Sequence, residues 1–281
     1  MFQKITVAVA FNHHLEDELS CAAQLAKGAE LHLVHVGQPN PQKEQYLAEV
    51  LKRLQIKLDG LHWLEGDKVE SLLEFTQSQH TDLLITATDD TQNLFKYFTG
   101  SISKNLCRKC RCSILLLHHP VKNKGAFEHL VVSGVDHPKT SYTLEFAARL
   151  SKCTETKKLT LVEELPVDQL VVSMGNDQPA QPVYSTAETL MNLFDNRQAV
   201  DNLLHQFESG NLQVEVDRRE GKPGYCVSAF ARESQADLLV LNSPDTELGL
   251  LDRLFPHDLE YALSNLPCSL LVVHPQEFEF N

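Results

Sequence analysis

Basic residues are scarce: 25 Lys and Arg stand against 38 Asp and Glu, a formal net charge of −13 over 281 residues. That balance argues against a nucleic-acid partner, because phosphate binding needs concentrated Lys and Arg. The one basic stretch, Lys104 to Arg111, is short and isolated in an acidic chain. No apolar run approaches the roughly 20 residues that cross a bilayer, so no membrane partner is expected. Met1-Phe2-Gln3-Lys4 leads straight into a strand pattern, with no signal peptide in view. The seven cysteines are odd in number, which without a secretory signal fits reduced thiols in the cytoplasm. Walker A and dinucleotide fingerprints are missing, as is any Ser/His/Asp or Cys/His/Asp constellation.

What is present is one unit twice. Glu65-Gly66 stands seventeen residues before Asp82-Leu83-Leu84, and Glu220-Gly221 the same distance before Asp237-Leu238-Leu239. Phe75 and Phe230 fall into step between them. Cys112-Ser113 leads an apolar run into His118, and Cys268-Ser269 leads another into His274. Ala22-Ala23-Gln24-Leu25-Ala26-Lys27 corresponds to Ala147-Ala148-Arg149-Leu150-Ser151-Lys152. The length suits two domains, each with its own core.

Each half alternates short apolar runs with amphipathic helical stretches, the pattern of a parallel sheet with crossover helices. Strands are expected at Ile5–Ala10, Glu30–Val36, Gly60–Leu64, Asp82–Ala87 and Ser113–Leu117, then at Leu130–Val135, Lys158–Val162, Gln213–Asp217, Leu238–Leu241 and Ser269–Val273. Helices are expected at Glu16–Lys27, Gln42–Leu54 and Lys68–Gln79, and from Gly100-Ser101 to about Cys107. The domains divide at residues 1–119 and 127–276, joined by a polar linker at 120–126. A helical insertion of the second half covers about 163–211, with the capping box Ser185-Thr186-Ala187-Glu188 inside it.

The order of elements, the Glu65-Gly66-Asp67 turn, and Gly100-Ser101 twelve residues before Cys112 resemble a universal stress protein domain. The resemblance covers residues 3–118 and 128–275, so the whole chain is similar to the tandem, E-type members of the universal stress protein A superfamily. It implies two tandem open α/β sandwich domains of the adenine nucleotide alpha hydrolase type, each with a five-stranded parallel sheet. It also implies that the final strands, Ser113–Leu117 and Ser269–Val273, pair across a two-fold axis in an internal pseudo-dimer. Such pairing would shield two apolar edges. Members that bind ATP carry Gly-x2-Gly-x9-Gly-Ser/Thr after the fourth strand and an adenine-side Asp at the end of the first.

Both halves depart from that pattern. In the first, Gly100-Ser101 matches the final element, but Ala87 and Asp90 hold the earlier glycine positions. Asp90 places a carboxylate where a polyphosphate would lie, at a cost of about 1 kcal/mol in water and several times that near a protein surface. The first strand ends in Ala10-Phe11-Asn12, without the Asp. In the second half Asp136 follows the first strand, but the glycine positions correspond to about Asn242 and Asp245, and Pro256-His257 replaces the Gly-Ser pair. Thr88, Asp90, Gly100, Ser101 and Asp136 are therefore the ligand-binding candidates, with ATP or ADP the cofactor the first domain would take. The plainer reading makes Thr99 or Ser101 a helix cap, and Asp89 and Asp90 turn residues.

Cys107, Cys110 and Cys112 form the sharpest local cluster. Cys-x2-Cys is half a zinc site, and Lys and Arg neighbours lower thiol pKa values. Helix-facing cysteines beside a solvated basic turn are the plainer reading. His13-His14 follows the first strand, on the sheet edge where α/β ligands bind. His32 and His35 read as hydrogen-bonded residues of the second strand. In the insertion, Phe194 and Phe207 mark a candidate pocket for a small or lipid-like ligand, against ordinary helix packing.

The combined expectation is a non-catalytic universal stress protein acting in stress adaptation through ligand or protein binding, with both nucleotide motifs degenerate. The alternatives are an ATP/ADP switch or weak ATPase using Gly100-Ser101, and a ligand carrier with its pocket in the second domain. Expected partners are the chain's own second half, a second copy in a homodimer, and a protein or small ligand.

Overall fold

A computed structural model describes residues 2–87, 102–118, 127–135, 137–165, 198, 212–221, 224–244, 256–264 and 266–275. In the first half it shows β1 (Lys4–Ala8), α1 (Leu15–Leu25), β2 (Glu30–Val36), α2 (Pro41–Leu54), β3 (Gly60–Leu64), α3 (Lys68–Ser78), β4 (Leu83–Ala87), α4 (Lys104–Lys109) and β5 (Ser113–Leu117). The second half shows β6 (His129–Ser133), α5 (Thr140–Cys153), β7 (Lys158–Leu165), β8 (Gln213–Glu220), α6 (Tyr225–Glu233), β9 (Leu238–Asn242), α7 (Pro256–Ser264) and β10 (Ser269–Val273).

The ten described strands form one sheet in the order β3-β2-β1-β4-β5-β10-β9-β6-β7-β8. Pairing is parallel within each half, as at β1–β2, β4–β5 and β9–β10. Among the described residues only the junction is antiparallel, pairing Leu270 with Leu116, Leu271 with Leu115, and Val272 with Ile114. Leu115 and Leu271 occupy equivalent positions of the two repeats, so a local two-fold axis passes through that pair. The flanking contacts obey the same symmetry. His118 N–H donates to Ser269 Oγ at 3.1 Å, and His274 N–H donates to Ser113 Oγ at 3.2 Å.

Side-chain alternation along the strands builds two cores. Ile5, Val7, Leu33, Leu115, Leu130, Leu161 and Leu271 face α1, α2 and α5. Val34, Leu84, Ile114, Val131, Leu239 and Leu270 face α3, α4, α6 and α7. Every residue of β5 and of β10 is buried, as sheet covered by helices on both faces requires.

The repeated Asp82-Leu83-Leu84 and Asp237-Leu238-Leu239 belong to the amino edge of the sheet. Asp82 Oδ2 accepts from the N–H groups of Gln3 (2.6 Å) and Lys4 (2.8 Å). Asp237 Oδ2 accepts from His129 N–H at 3.0 Å. Each carboxylate satisfies backbone donors where the central strand of its half begins. The strongest sequence echo is therefore structural.

Among the boundaries that differ from expectation, β1 and β6 each stop two residues early and β8 runs to Glu220, and two more bear on the sites below. β7 continues three residues past Val162, because Glu163, Glu164 and Leu165 pair with Arg218, Arg219 and Glu220 of β8. α4 ends at Lys109 rather than near Cys107, placing Cys110 at its C-cap. The capping box 185–188 lies outside the described residues.

Candidate functional site

The carboxyl ends of the strands in an open α/β sheet are where ligands bind. In the first half that edge is aromatic. Phe11 takes a left-handed backbone conformation (φ 54°) just after β1, turning its ring back over the sheet. It stacks on Trp63 of β3 with centroids 5.8 Å apart and planes 6° apart. His35 of β2 stands edge-on to both rings, at 5.0 and 5.1 Å. Its ring is locked, with Nδ1–H donating to Val9 O at 2.7 Å and Nε2 accepting from Lys43 Nζ at 3.0 Å. Lys43 also lies 5.2 Å from the Phe11 centroid, in cation–π range. Burial pushes the His35 pKa down, and the charges of Lys43 and Lys68 push it the same way. His13 is exposed and His14 buried, their rings 3.8 Å apart. His32 Nδ1 lies 3.1 Å from His62 Nε2, and its Nε2 3.3 Å from Glu30; like His35, it is a hydrogen-bonded strand histidine.

In the second half the same edge is ionic. Val9 N–H donates to Val34 O in one half, and Gly134 N–H to Val162 O in the other, which fixes the correspondence of β2 with β7. Glu163 therefore stands where His35 does. Arg218 stands where Trp63 does, and the two make an ion pair at 2.7 Å. Glu164 turns to the other face and meets the start of α6. Its Oε2 accepts from Gly224 N–H and its Oε1 from Val227 N–H, both at 2.7 Å. Burial raises the Glu164 pKa, and the N–H groups of Gly224, Val227 and Cys226 oppose that rise. The anion-attracting start of this helix is thus filled by the chain's own carboxylate. In the first half α3 is capped locally, Asp67 accepting from Val69 N–H (2.9 Å) and Glu70 N–H (3.1 Å). The residue matching Asp67 in sequence is Lys222, and α6 starts later, with Gly224 at its N-cap and no local side-chain cap.

Further along this edge, Lys139 Nζ donates to Ser243 O at 3.2 Å and to Pro244 O at 3.4 Å. His274, at the end of β10, is buried, and burial together with the Lys139 charge lowers its pKa to about 4.

Thr88, Asp90, Gly100, Ser101 and Asp136, together with Asp89, Thr99 and Asp245, lie outside the described residues, as do Phe194 and Phe207. Asn242 is described, and its Nδ2 donates to Thr140 Oγ1 at 3.0 Å. Pro256 and His257 open α7. Cys107, Cys110 and Cys112 are all buried. Cys110 and Cys112 come together, their sulfurs 3.2 Å apart. Among the described residues no group of three or more His, Cys, Asp or Glu converges as a metal site requires. None of the described helices is long and apolar enough to cross a membrane.

Sequence reasoning missed the Phe11–His35–Trp63 cluster, the Glu163–Arg218 pair and the Glu164 cap. The available signal was a pair of acids, Glu163-Glu164, directly continuing an apolar strand.

The universal stress protein family model matches residues 1–118 and again 129–274. The universal stress protein E homolog of Haemophilus influenzae is 22% identical over 98% of this chain and 87% of its own length. A universal stress protein from Archaeoglobus fulgidus shares the fold at TM-score 0.64 and 13% identity, covering 98% of this chain and 97% of that one. A functionally unknown protein from Pseudomonas aeruginosa PAO1 aligns at TM-score 0.66 and 15% identity, covering 98% and 93%.

Proposed function

The chain belongs to the universal stress protein family, and on that premise we propose that it is a non-catalytic member of the bacterial cytoplasm. It acts in stress adaptation by binding a protein or a ligand other than ATP. The observation carrying this reading is the Phe11 ring, stacked on Trp63 and braced by His35 and Lys43. It occupies the edge of the sheet where the family's ATP binders use an Asp after the first strand. An adenine ring placed there would have to displace an aromatic cluster that already packs on itself. In the second half, the Glu164 carboxylate at α6 and the Glu163–Arg218 pair fill the matching edge with the chain's own charges. Among the described residues, both edges spend their polar groups on the chain's own partners.

Native mass spectrometry of the freshly purified chain, alone and with added Mg-ATP, tests this. The expected spectrum carries no adenine nucleotide, and phosphate release stays at the level of a protein-free control. A stoichiometric nucleotide adduct that survives buffer exchange would overturn the proposal.

A further inference from the structure

We propose that Cys110 and Cys112 are a peroxide-reactive dithiol that closes reversibly into an intramolecular disulfide. The two sulfurs stand 3.2 Å apart at the turn between α4 and β5, so about 1 Å of further approach brings them to bonding distance. Cys110 Sγ also lies 3.8 Å from Thr76 Oγ1 on α3. Thr76 and Cys112, the two neighbours of the Cys110 sulfur, line a cleft of about 490 Å³. His80, Asp82, Lys109 and Arg111 line it as well, so the cleft gives a molecule as small as hydrogen peroxide a polar approach to Cys112, with the fully buried Cys110 sulfur directly behind it.

The pair is chemically asymmetric. The hydrogen bond with Cys112 lowers the Cys110 thiol below its ordinary range, with Thr76 acting in the same direction. The same hydrogen bond, and then burial, push the Cys112 thiol well up. Cys107, one turn earlier, is raised to about 12 by burial and stays a packing residue. A thiolate with an adjacent thiol supplies both the nucleophile and the resolving group.

The Cys110 thiolate attacks one oxygen of hydrogen peroxide and the O–O bond breaks. The departing hydroxide takes a proton and leaves as water, and Cys110 is left as the sulfenic acid. The Cys112 sulfur then attacks the Cys110 sulfur. The S–S bond forms, the S–O bond breaks, and the sulfenic oxygen leaves as water with the Cys112 proton. Two thiols are oxidised and one peroxide is reduced to two waters. A dithiol reductant reverses the disulfide by exchange.

The second half supplies an internal control. Cys268 matches Cys112, but Leu266 and Leu263 stand where Cys110 and Cys107 do, so no dithiol forms there.

The reduced full-length chain is treated with hydrogen peroxide, alkylated, cleaved with a Glu-specific protease and weighed. The expected peptide carrying Cys110 and Cys112 is two hydrogens lighter, unalkylated at both positions, and restored by dithiothreitol, while Cys268 stays alkylatable. In a Cys112→Ser chain the Cys110 sulfenic acid persists and is trapped by dimedone, whereas Cys110→Ser gives no dimedone adduct at the site. Both sulfurs remaining alkylatable after peroxide would overturn the proposal. So would direct passage to sulfinic acid in the unsubstituted chain, or pairing of either cysteine with a second chain.

Discussion

Where the first half ends its strands in Phe11, His35 and Trp63, the second half has Asp136, Glu163 and Arg218 in the corresponding sequence positions. The backbone beneath is shared, down to the hydrogen bonds that leave Val9 and Gly134. The amino edge, by contrast, repeats its chemistry, with Asp82 and Asp237 making the same kind of contact. A duplicated fold keeps the groups that start its strands and is free to exchange those at the carboxyl ends, where loops carry function. One edge became an aromatic cluster and the other an ion-paired one, so the halves are not two copies of one binding site.

The comparison breaks most severely at the junction. Leu115→Ala and Leu271→Ala should each cost about 2–5 kcal/mol, the range for a buried Leu. Because the pair lies on the local axis, the two costs should agree closely. Urea unfolding of both variants measures this, and a large inequality would show that the cores beside the seam are not equivalent.

The next effect is read by pH, at the end of β10. His274 has a folded pKa of about 4, below its ordinary 6.5, so the unfolded chain binds the proton first as pH falls. Stability is full above about 6.5 and is lost as pH drops toward 4, by at most ~3 kcal/mol. The slope should flatten in His274→Gln. An unchanged slope in that variant would mean that other groups govern the acid limb.

The helix caps give smaller, graded effects. Glu164→Ala strips acceptors from buried N–H groups and should cost about 2 kcal/mol. Asp67→Ala removes an exposed local cap worth about 1 kcal/mol. Thermal unfolding of the two variants sets the order, and a reversed order would mean that water replaces Glu164 at α6.

Most of this fold was legible because the strands are unbroken apolar runs, and five-residue runs such as Ser113–Leu117 admit little ambiguity of type. The seam was legible only through family resemblance, since two all-apolar edges do not announce their partner. The carboxyl edges were much less so. Glu163 and Glu164 read as the start of the insertion because two acids interrupt the apolar pattern. Their burial is offset by Arg218 and by the N–H groups of α6, partners more than fifty residues away. Phe11, His35 and Trp63 likewise meet only through the register of three strands, which no local window contains. Cys110 and Cys112 were found by spacing, but their asymmetry depends on Thr76 and on burial.

The seam also sets a clock on synthesis. β5 is complete when Leu117 leaves the ribosome, yet its antiparallel neighbour β10 begins only at Ser269. At about 5–20 residues per second, the intervening stretch of roughly 150 residues takes on the order of 10–30 seconds to appear. For that interval the nascent chain presents an apolar strand edge with open donors and acceptors. Its geometry suits another β5 as well as β10, so on a polysome the first competitor of the second half is the neighbouring chain's first half.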